Sequence, residues 1–115
     1  MQKFGLPRQK MIKSRERIRR IQKEGTKKEG ELFTLYRTKT NPATEPRVGI
    51  LVDRDIRRAT ERNRLKRLVR EVVRLNKPKL LKRDTILNIK PRAEGKTFWQ
   101  IQRELVGVTG KIIRE

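Results

Sequence analysis

Cysteine and histidine are both absent from this chain of 115 residues. The first absence excludes disulfides, thiolate metal sites and nucleophilic thiols. The second removes the commonest general base and the commonest transition-metal ligand, so few catalytic routes remain to the protein acting alone. Aromatic side chains are sparse at 4% of the residues, and carboxylates are outnumbered, with 13 Asp and Glu against 33 Lys and Arg. Long apolar runs are missing too. No stretch reaches the roughly 18 residues of a membrane span, and no short apolar run follows the basic N-terminus as a signal peptide requires. The chain is therefore expected to be cytoplasmic, with no membrane partner. Its formal charge of +20 and pI near 11.5 make it self-repelling and suit it to phosphate-rich polymers, where counterion release supplies much of the affinity. Nucleic acid is the leading partner.

What is present is strongly patterned. Hydrophobic residues make up 33% and charged residues 40% of the chain, so the apolar positions must be concentrated if one small core is to form, and the length allows one domain rather than two. The segment from Ala59 to Arg70 and beyond carries Leu65, Leu68, Val69, Val72 and Leu75 on one helical face, following the i, i+3, i+4, i+7 rule. The far side of the same helix aligns Asn63, Arg67, Arg70 and Arg74, flanked by Arg64 and Lys66. Arg62 lies at the edge of the apolar stripe, where its stem can pack while the guanidinium reaches outward. Like charge at i, i+4 spacing, little relieved by Glu61 and Glu71, disfavours such a helix in isolation and favours an anionic partner over a merely solvated face.

The remaining elements follow from local signals. Residues 1–9, with Gly5 and Pro7, are expected to be loosely structured. A short basic helix runs from Lys10 to Glu24 with Ile12, Ile18 and Ile21, stopped by Gly25. Glu31–Arg37 reads as a strand, Thr38–Pro46 as a loop, and Arg47–Val52 as a nearly apolar strand suited to the middle of a sheet. The basic helix extends from about Arg57 to about Asn76, with Asp55 as a candidate cap and Pro78 as its stop. Asp84–Ile89 is a further strand. Thr97 and Gln100 have capping-box spacing and open a last helix carrying Phe98, Ile101, Leu105, Val108 and Ile112, weakened by Gly107 and Gly110. Trp99 is expected to pack in the core or against a helix. Helices and sheet together predict an α+β sandwich. Asp53 and Asp55 could be read as ligands of a hard cation, but this spacing is commoner at a helix start or in a solvated turn.

The spacing Ala59, Arg62-Asn63, Lys66-Arg67, Arg70 resembles the Arg-Asn-Arg helix of the bacterial ribonuclease P protein. Phe33-Thr-Leu-Tyr36 resembles that family's aromatic strand, Arg47–Val52 its central strand, and Asp84 with the apolar run after it the last strand. The similarity extends from about Lys10 to about Arg114. It implies a single-domain αβββαβα two-layer sandwich with a mixed sheet and a left-handed βαβ crossover, a fold shared with the second domain of a ribosomal small-subunit protein. One strand of that fold falls near Thr26 to Glu29, where pattern alone gives no strand signal.

The resemblance implies the protein subunit of an endoribonuclease that removes the 5′ leader from precursor tRNA. Ribonuclease P RNA and precursor tRNA are the implied partners. Cleavage falls to the RNA subunit and its Mg²⁺ ions, with no catalytic residue or metal site on the protein. Carried over by position, the RNA face comprises Arg57, Arg58, Arg62, Asn63, Arg64, Lys66, Arg67 and Arg70, to which the helical row adds Arg74. A leader cleft would be lined by Lys13, Arg15, Ile18, Phe33 and Tyr36. Arginine forks can follow a folded RNA backbone without reading sequence, while Asn63 can hold an RNA sugar or base edge or tie down neighbouring arginines. Phe33 and Tyr36, three apart on a strand, point to opposite faces, so core filling competes with cleft lining for each.

The chain also departs from the family pattern. Ile18 stands where phenylalanine is usual, Gln22 and Thr85 where an aromatic often appears, and Met11 where arginine is common. Arg57 replaces a glycine, and Asp53 and Asp55 replace residues that are often basic. Two other function classes stand beside this reading. A structural, ribosomal-type RNA-binding protein would share the charge but affect no tRNA processing, and an autonomous nuclease would need the histidines or carboxylate cluster that are missing.

Overall fold

Ser14 begins the first helix and Gly25 ends it. The Ser14 hydroxyl accepts from Arg17 N at 3.3 Å, satisfying one of the free N–H groups of the first turn. Gly25 N donates to Ile21 O at 2.9 Å. Helix α1 is therefore Arg15–Glu24, shorter than the sequence expectation of a start at Lys10. Ile12 is not helical; its N–H donates to Val48 O at 2.8 Å. Gly25 has a packing reason to be glycine, since a Cβ there would lie 2.4 Å from Arg37 O and 2.6 Å from Ile21 O. The computed structural model describes residues 12, 14–39, 47–75 and 83–113. Residues 1–9, Lys10, Met11, Lys13, most of the Thr38–Pro46 loop, Asn76 and Pro78 lie outside the described residues, as do the side chains of Val108 and Ile112.

After α1 come strands β1 (Thr26–Glu29), β2 (Phe33–Arg37) and β3 (Val48–Val52), helix α2 (Ala59–Leu75), strand β4 (Thr85–Ile89), a 3₁₀ turn (Pro91–Ala93) and helix α3 (Phe98–Ile113). The order αβββαβα is the one implied by the resemblance, and β1 occupies the segment that pattern could not identify. Its sequence, Thr-Lys-Lys-Glu, alternates half-buried and exposed positions without an apolar residue. The sheet order is β1-β2-β4-β3, antiparallel except for the parallel β3–β4 pair that α2 connects.

Strand β3 corrects another expectation. Its apolar run suggests a central strand, yet it lies at the sheet edge and β4 takes the inner place. The run is apolar because both faces of β3 are covered. Val48, Ile50 and Val52 meet the main core, while Leu51 meets the cluster on the other face.

That main core lies between the sheet and the helix pair α2 and α3. Phe33, Leu35, Leu87 and Ile89 supply the sheet side, Leu65, Val69, Val72 and Val73 the α2 side, and Ile101 and Leu105 the α3 side. Each such side chain, fully removed from water, contributes roughly 1.5–3 kcal/mol. A smaller cluster of Ile12, Ile21 and Ile86, with Ile18, Tyr36 and Leu51 partly buried against it, fastens α1 to the opposite face. Thr97 and Gln100 close their capping box reciprocally, at 2.9 Å and 3.3 Å.

Asp84 joins the layers. Its carboxylate, almost wholly buried, forms an ion pair with Arg17 of α1 and accepts from Arg47 N at 2.8 Å, while its own carbonyl accepts from Thr38 N at 3.1 Å. One acid thus binds α1, the entrance to β3 and the exit of β2. Asp84→Ala is expected to lower the unfolding free energy by about 2–3 kcal/mol, read as a lower urea midpoint with an unchanged slope; an unaltered midpoint would show that the apolar cluster alone seats α1.

Candidate nucleic-acid interface

The stripe of α2 follows the periodicity with two exceptions: Leu65, Val69 and Val72 are buried and Leu68 half-buried against them, but Leu75, expected on the stripe, is 53% exposed and Val73, outside it, is buried. Asn63, Arg67 and Arg70 are exposed on the far side with half-buried Lys66 beside them. Arg57 and Arg58, on the approach to the helix, are exposed as well. No hydrogen bond or ion pair joins the side chains of Arg57, Asn63, Lys66, Arg67 or Arg70 to another described residue.

Three cations assigned to this face from sequence are occupied within the protein. Arg62 turns its guanidinium inward: Nη1 donates to Asp53 O and Ile56 O, both at 3.0 Å, and Nη2 to Val52 O at 3.4 Å. One guanidinium thus serves the carbonyl that ends β3 and two of the loop after it, the Asp53 carbonyl also accepting from Ile56 N at 3.1 Å, so Arg62 is a loop clamp rather than an outward contact. Arg64 makes a paired contact with Glu61, 2.7 Å on each arm, and donates to Lys96 O at 3.0 Å. Arg74 pairs with Glu71. Both ion pairs are i, i+3, and they neutralise the two ends of the helix face while leaving its middle positive.

The helix start is also revised. Asp55 does not cap α2, which begins four residues later at Ala59; instead, Asp55 N donates to the Asp53 carboxylate at 2.9 Å and closes a turn. Arg57 adopts no positive φ, because no described non-glycine residue does. The first helical turn follows it rather than including it.

A second surface lies across the sheet. Ile18 of α1 and Tyr36 of β2 are brought together on the minor cluster, both half-buried. Lys27, the strand partner of Tyr36, sits over its ring at 6.0 Å. Since α1 crosses the sheet at the end held by Asp84, its flank carrying Arg15, Ile18 and Gln22 faces the part of the sheet that shows Tyr36, Asn88 and Leu51. Phe33 is not there. It is fully buried in the main core, on the opposite face, as strand alternation from Tyr36 demands. Lys13 lies outside the described residues.

Trp99 overturns its expectation. Rather than packing inside, it is 70% exposed, with its ring edge-to-face against Phe98 at a centroid distance of 5.2 Å. The sequence carries the signal: on the wheel set by Ile101 and Leu105, position 99 falls outside the apolar stripe. The contribution of Lys27 to the Tyr36 ring had no such signal, because it depends on strand register.

Comparison with known proteins converges on one family. The Ribonuclease P family model matches residues 6–113. The ribonuclease P protein component of Syntrophus aciditrophicus is 31% identical over 106 residues, covering 91% of this chain and 88% of the relative. That of Thermotoga sp. strain RQ2 is 37% identical over 110 residues, 87% of this chain and 92% of the relative. Among solved structures, the Staphylococcus aureus RNase P protein superposes with a TM-score of 0.79 at 30% identity, over 90% of this chain and 94% of that one. The Thermotoga maritima protein gives 0.76 at 28% identity, over 88% and 96%.

Two predictions test the division of labour on α2. Arg62→Ala should destabilise the fold by about 1–3 kcal/mol, since it removes a shared donor from three part-buried carbonyls, whereas Arg67→Ala should leave the denaturation midpoint unchanged or slightly raised by relieving repulsion; equal effects on stability would refute the distinction. Glu61 provides a pH test. Hydrogen bonds from Arg64 first and then from Gly95 N draw its carboxyl from the ordinary 4.5 down to about 2. A carboxyl lowered on folding adds stability above its unfolded pKa and loses it as pH falls toward the folded value. The stability gap between wild type and Glu61→Gln, roughly 1–2 kcal/mol at neutral pH after allowance for partial exposure, should therefore close between about pH 4.5 and about pH 2. A gap constant across that window would remove Glu61 from the account.

Proposed function

Because the chain belongs to the bacterial ribonuclease P protein family, and is thus the protein subunit of that ribonucleoprotein and an associate of its RNA, we propose that α2 supplies the RNA-facing surface and that the cleft beneath α1 takes the 5′ leader of precursor tRNA. The observation that carries this reading is the set of side chains on α2 with no partner among the described residues: Asn63, Lys66, Arg67 and Arg70, with Arg57 before the helix. Folding leaves their charge uncompensated on one surface, where phosphate oxygens can take the guanidinium forks in pairs. Asn63, exposed among them, can donate and accept at an RNA sugar or base edge.

The leader cleft follows from different chemistry. A single-stranded leader presents bases of varying identity, and an aromatic face with a nearby cation binds them by stacking and charge rather than by base-edge recognition. Tyr36 with Lys27 above it meets that requirement, and Arg15 on the facing flank of α1 adds a phosphate contact. Ile18 contributes apolar area in place of a ring, so the stacking role rests on Tyr36. In this reading the RNA subunit and its Mg²⁺ ions break the phosphodiester, the protein orders the leader beside them, and the cytoplasm is the compartment.

Single-turnover cleavage of a 5′-labelled precursor tRNA in Mg²⁺ tests this, with RNA subunit alone, protein alone and both together. Acceleration at the mature 5′ end is expected only in the mixture. Replacing Arg67 and Arg70 by alanine should weaken assembly and flatten the plot of log affinity against log salt by about 1.5, the loss of two phosphate contacts. Tyr36→Ala should slow turnover of leader-bearing substrate while leaving RNA-subunit affinity intact. Cleavage by the protein alone would overturn the division of labour, and no effect in any mixture would point to a structural RNA-binding protein.

A further inference from the structure

One exposed ring has no part in the functions above. Trp99 shows 70% of its surface to solvent, an unfavourable display for the largest apolar side chain in a protein with a single small core. It is also held in place. The Thr97–Gln100 capping box fixes the first turn of α3, and the edge of the Phe98 ring, itself packed against the main core, braces the indole.

Its position follows from helix geometry. The residues of α3 that face the β1–β2 turn are Gln100 and Glu104, the latter accepting from Leu32 N at 3.0 Å, and both line the cleft there. Trp99 lies off the Ile101–Leu105 stripe, on the outward side of the first turn of α3. The loop before it is tied to α2 twice: Glu61 accepts from Gly95 N at 2.7 Å, and Arg64 donates to Lys96 O at 3.0 Å. Arg103, exposed one turn after Trp99, borders the same cleft as Gln100 and Glu104 and adds a cation to the outer surface of α3. A preformed aromatic face bordered by positive charge, on a helix start tied to α2, fits a nucleobase better than an apolar protein partner.

We propose that Trp99 is a stacking platform for an unpaired base of the ribonuclease P RNA that lies against α2. The proposal rests on the assignment of α2 to that RNA. Stacking on an indole needs no particular base, so the platform selects an unstacked nucleotide at the edge of the α2 contact rather than a sequence.

Trp99 is the only tryptophan of the chain and so reports on itself. Titrating the full-length protein with the RNA subunit at moderate salt, with excitation confined to the indole, should quench its emission and shield it from acrylamide. Trp99→Ala and Trp99→Leu should each weaken RNA affinity by about tenfold, and Trp99→Phe should recover most of that loss; the ring is exposed, and circular dichroism should show all three folded. Unchanged acrylamide access at RNA saturation would overturn the proposal. So would shielding that grows with protein concentration in the absence of RNA, which would make Trp99 a contact between copies. If Arg67→Ala with Arg70→Ala leaves affinity intact while Trp99 is still shielded, the α2 assignment fails and the platform stands on its own; if those arginines matter and Trp99 stays accessible, the reverse holds.

Discussion

Mutual repulsion among 33 cations, with only 13 carboxylates to offset it, is the constraint on which this structure turns. Every placement of an acid decides which bases are held within the protein and which remain for a partner. Asp84 takes Arg17 and thereby seats α1. Glu61 takes Arg64 and, through Gly95, fastens the approach to α3. Glu71 holds Arg74 at the far end of α2. Glu29 and Glu31 meet Lys90 and Arg92 near the β1–β2 turn. None of these acids reaches the middle of the α2 outer face. Charge uncompensated there costs the isolated protein stability, and under the proposed function phosphate offsets that cost, so the same arrangement that weakens the free fold would drive assembly.

The sheet keeps two tasks apart. Parallel pairing of β3 with β4 requires a crossover, and α2 makes it on one face, where it shares the main core with α3. Helix α1 is left the other face, where its apolar stripe covers only the end of the sheet near Asp84 and leaves Tyr36 half-exposed. A guanidinium row and the half-buried Tyr36 ring therefore stand on opposite sides of one four-stranded sheet. Rigid packing between them fixes the distance from the α2 face to the Tyr36 surface, and so, under the proposed function, from the RNA subunit to the leader.

How much of this was legible depended on whether a residue's role is set locally. The α2 stripe from Leu65 to Val72, the β4 run and the Thr97–Gln100 box are local patterns, and each appears where periodicity or spacing placed it. Strand β1 escaped pattern because its four polar residues pair along an edge and carry no burial signal. The inner place in the sheet was misassigned to β3 because apolar content reports coverage of both faces and not the number of paired neighbours. Arg62 was misread for a related reason: nothing in its spacing shows that the end of β3 and the loop after it would present three carbonyls within reach of its fork. Phe33 followed strand alternation once the helices chose their face, a choice made by α2 and α3 and invisible in the five residues of β2.

Several of the departures from the family pattern are compensated as a group. Arginine at position 57 requires a loop that turns into α2 without a positive φ, and the turn closed by Asp53 on Asp55 N, with Arg62 across the adjoining carbonyls, provides one. The acid at 53 is thereby tied to the shape of the loop, its carboxylate held by the backbone N–H of residue 55, whereas nothing in the structure explains the carboxylate at 55. On the other face, isoleucine at position 18 gives up a ring but keeps the apolar contact with the minor cluster, so α1 stays seated while its stacking capacity is reduced. Loop shape and helix seating are thus secured in this chain by residues other than those of the family pattern, and under the proposed function the nucleic-acid contact falls mainly to Arg67, Arg70 and Tyr36.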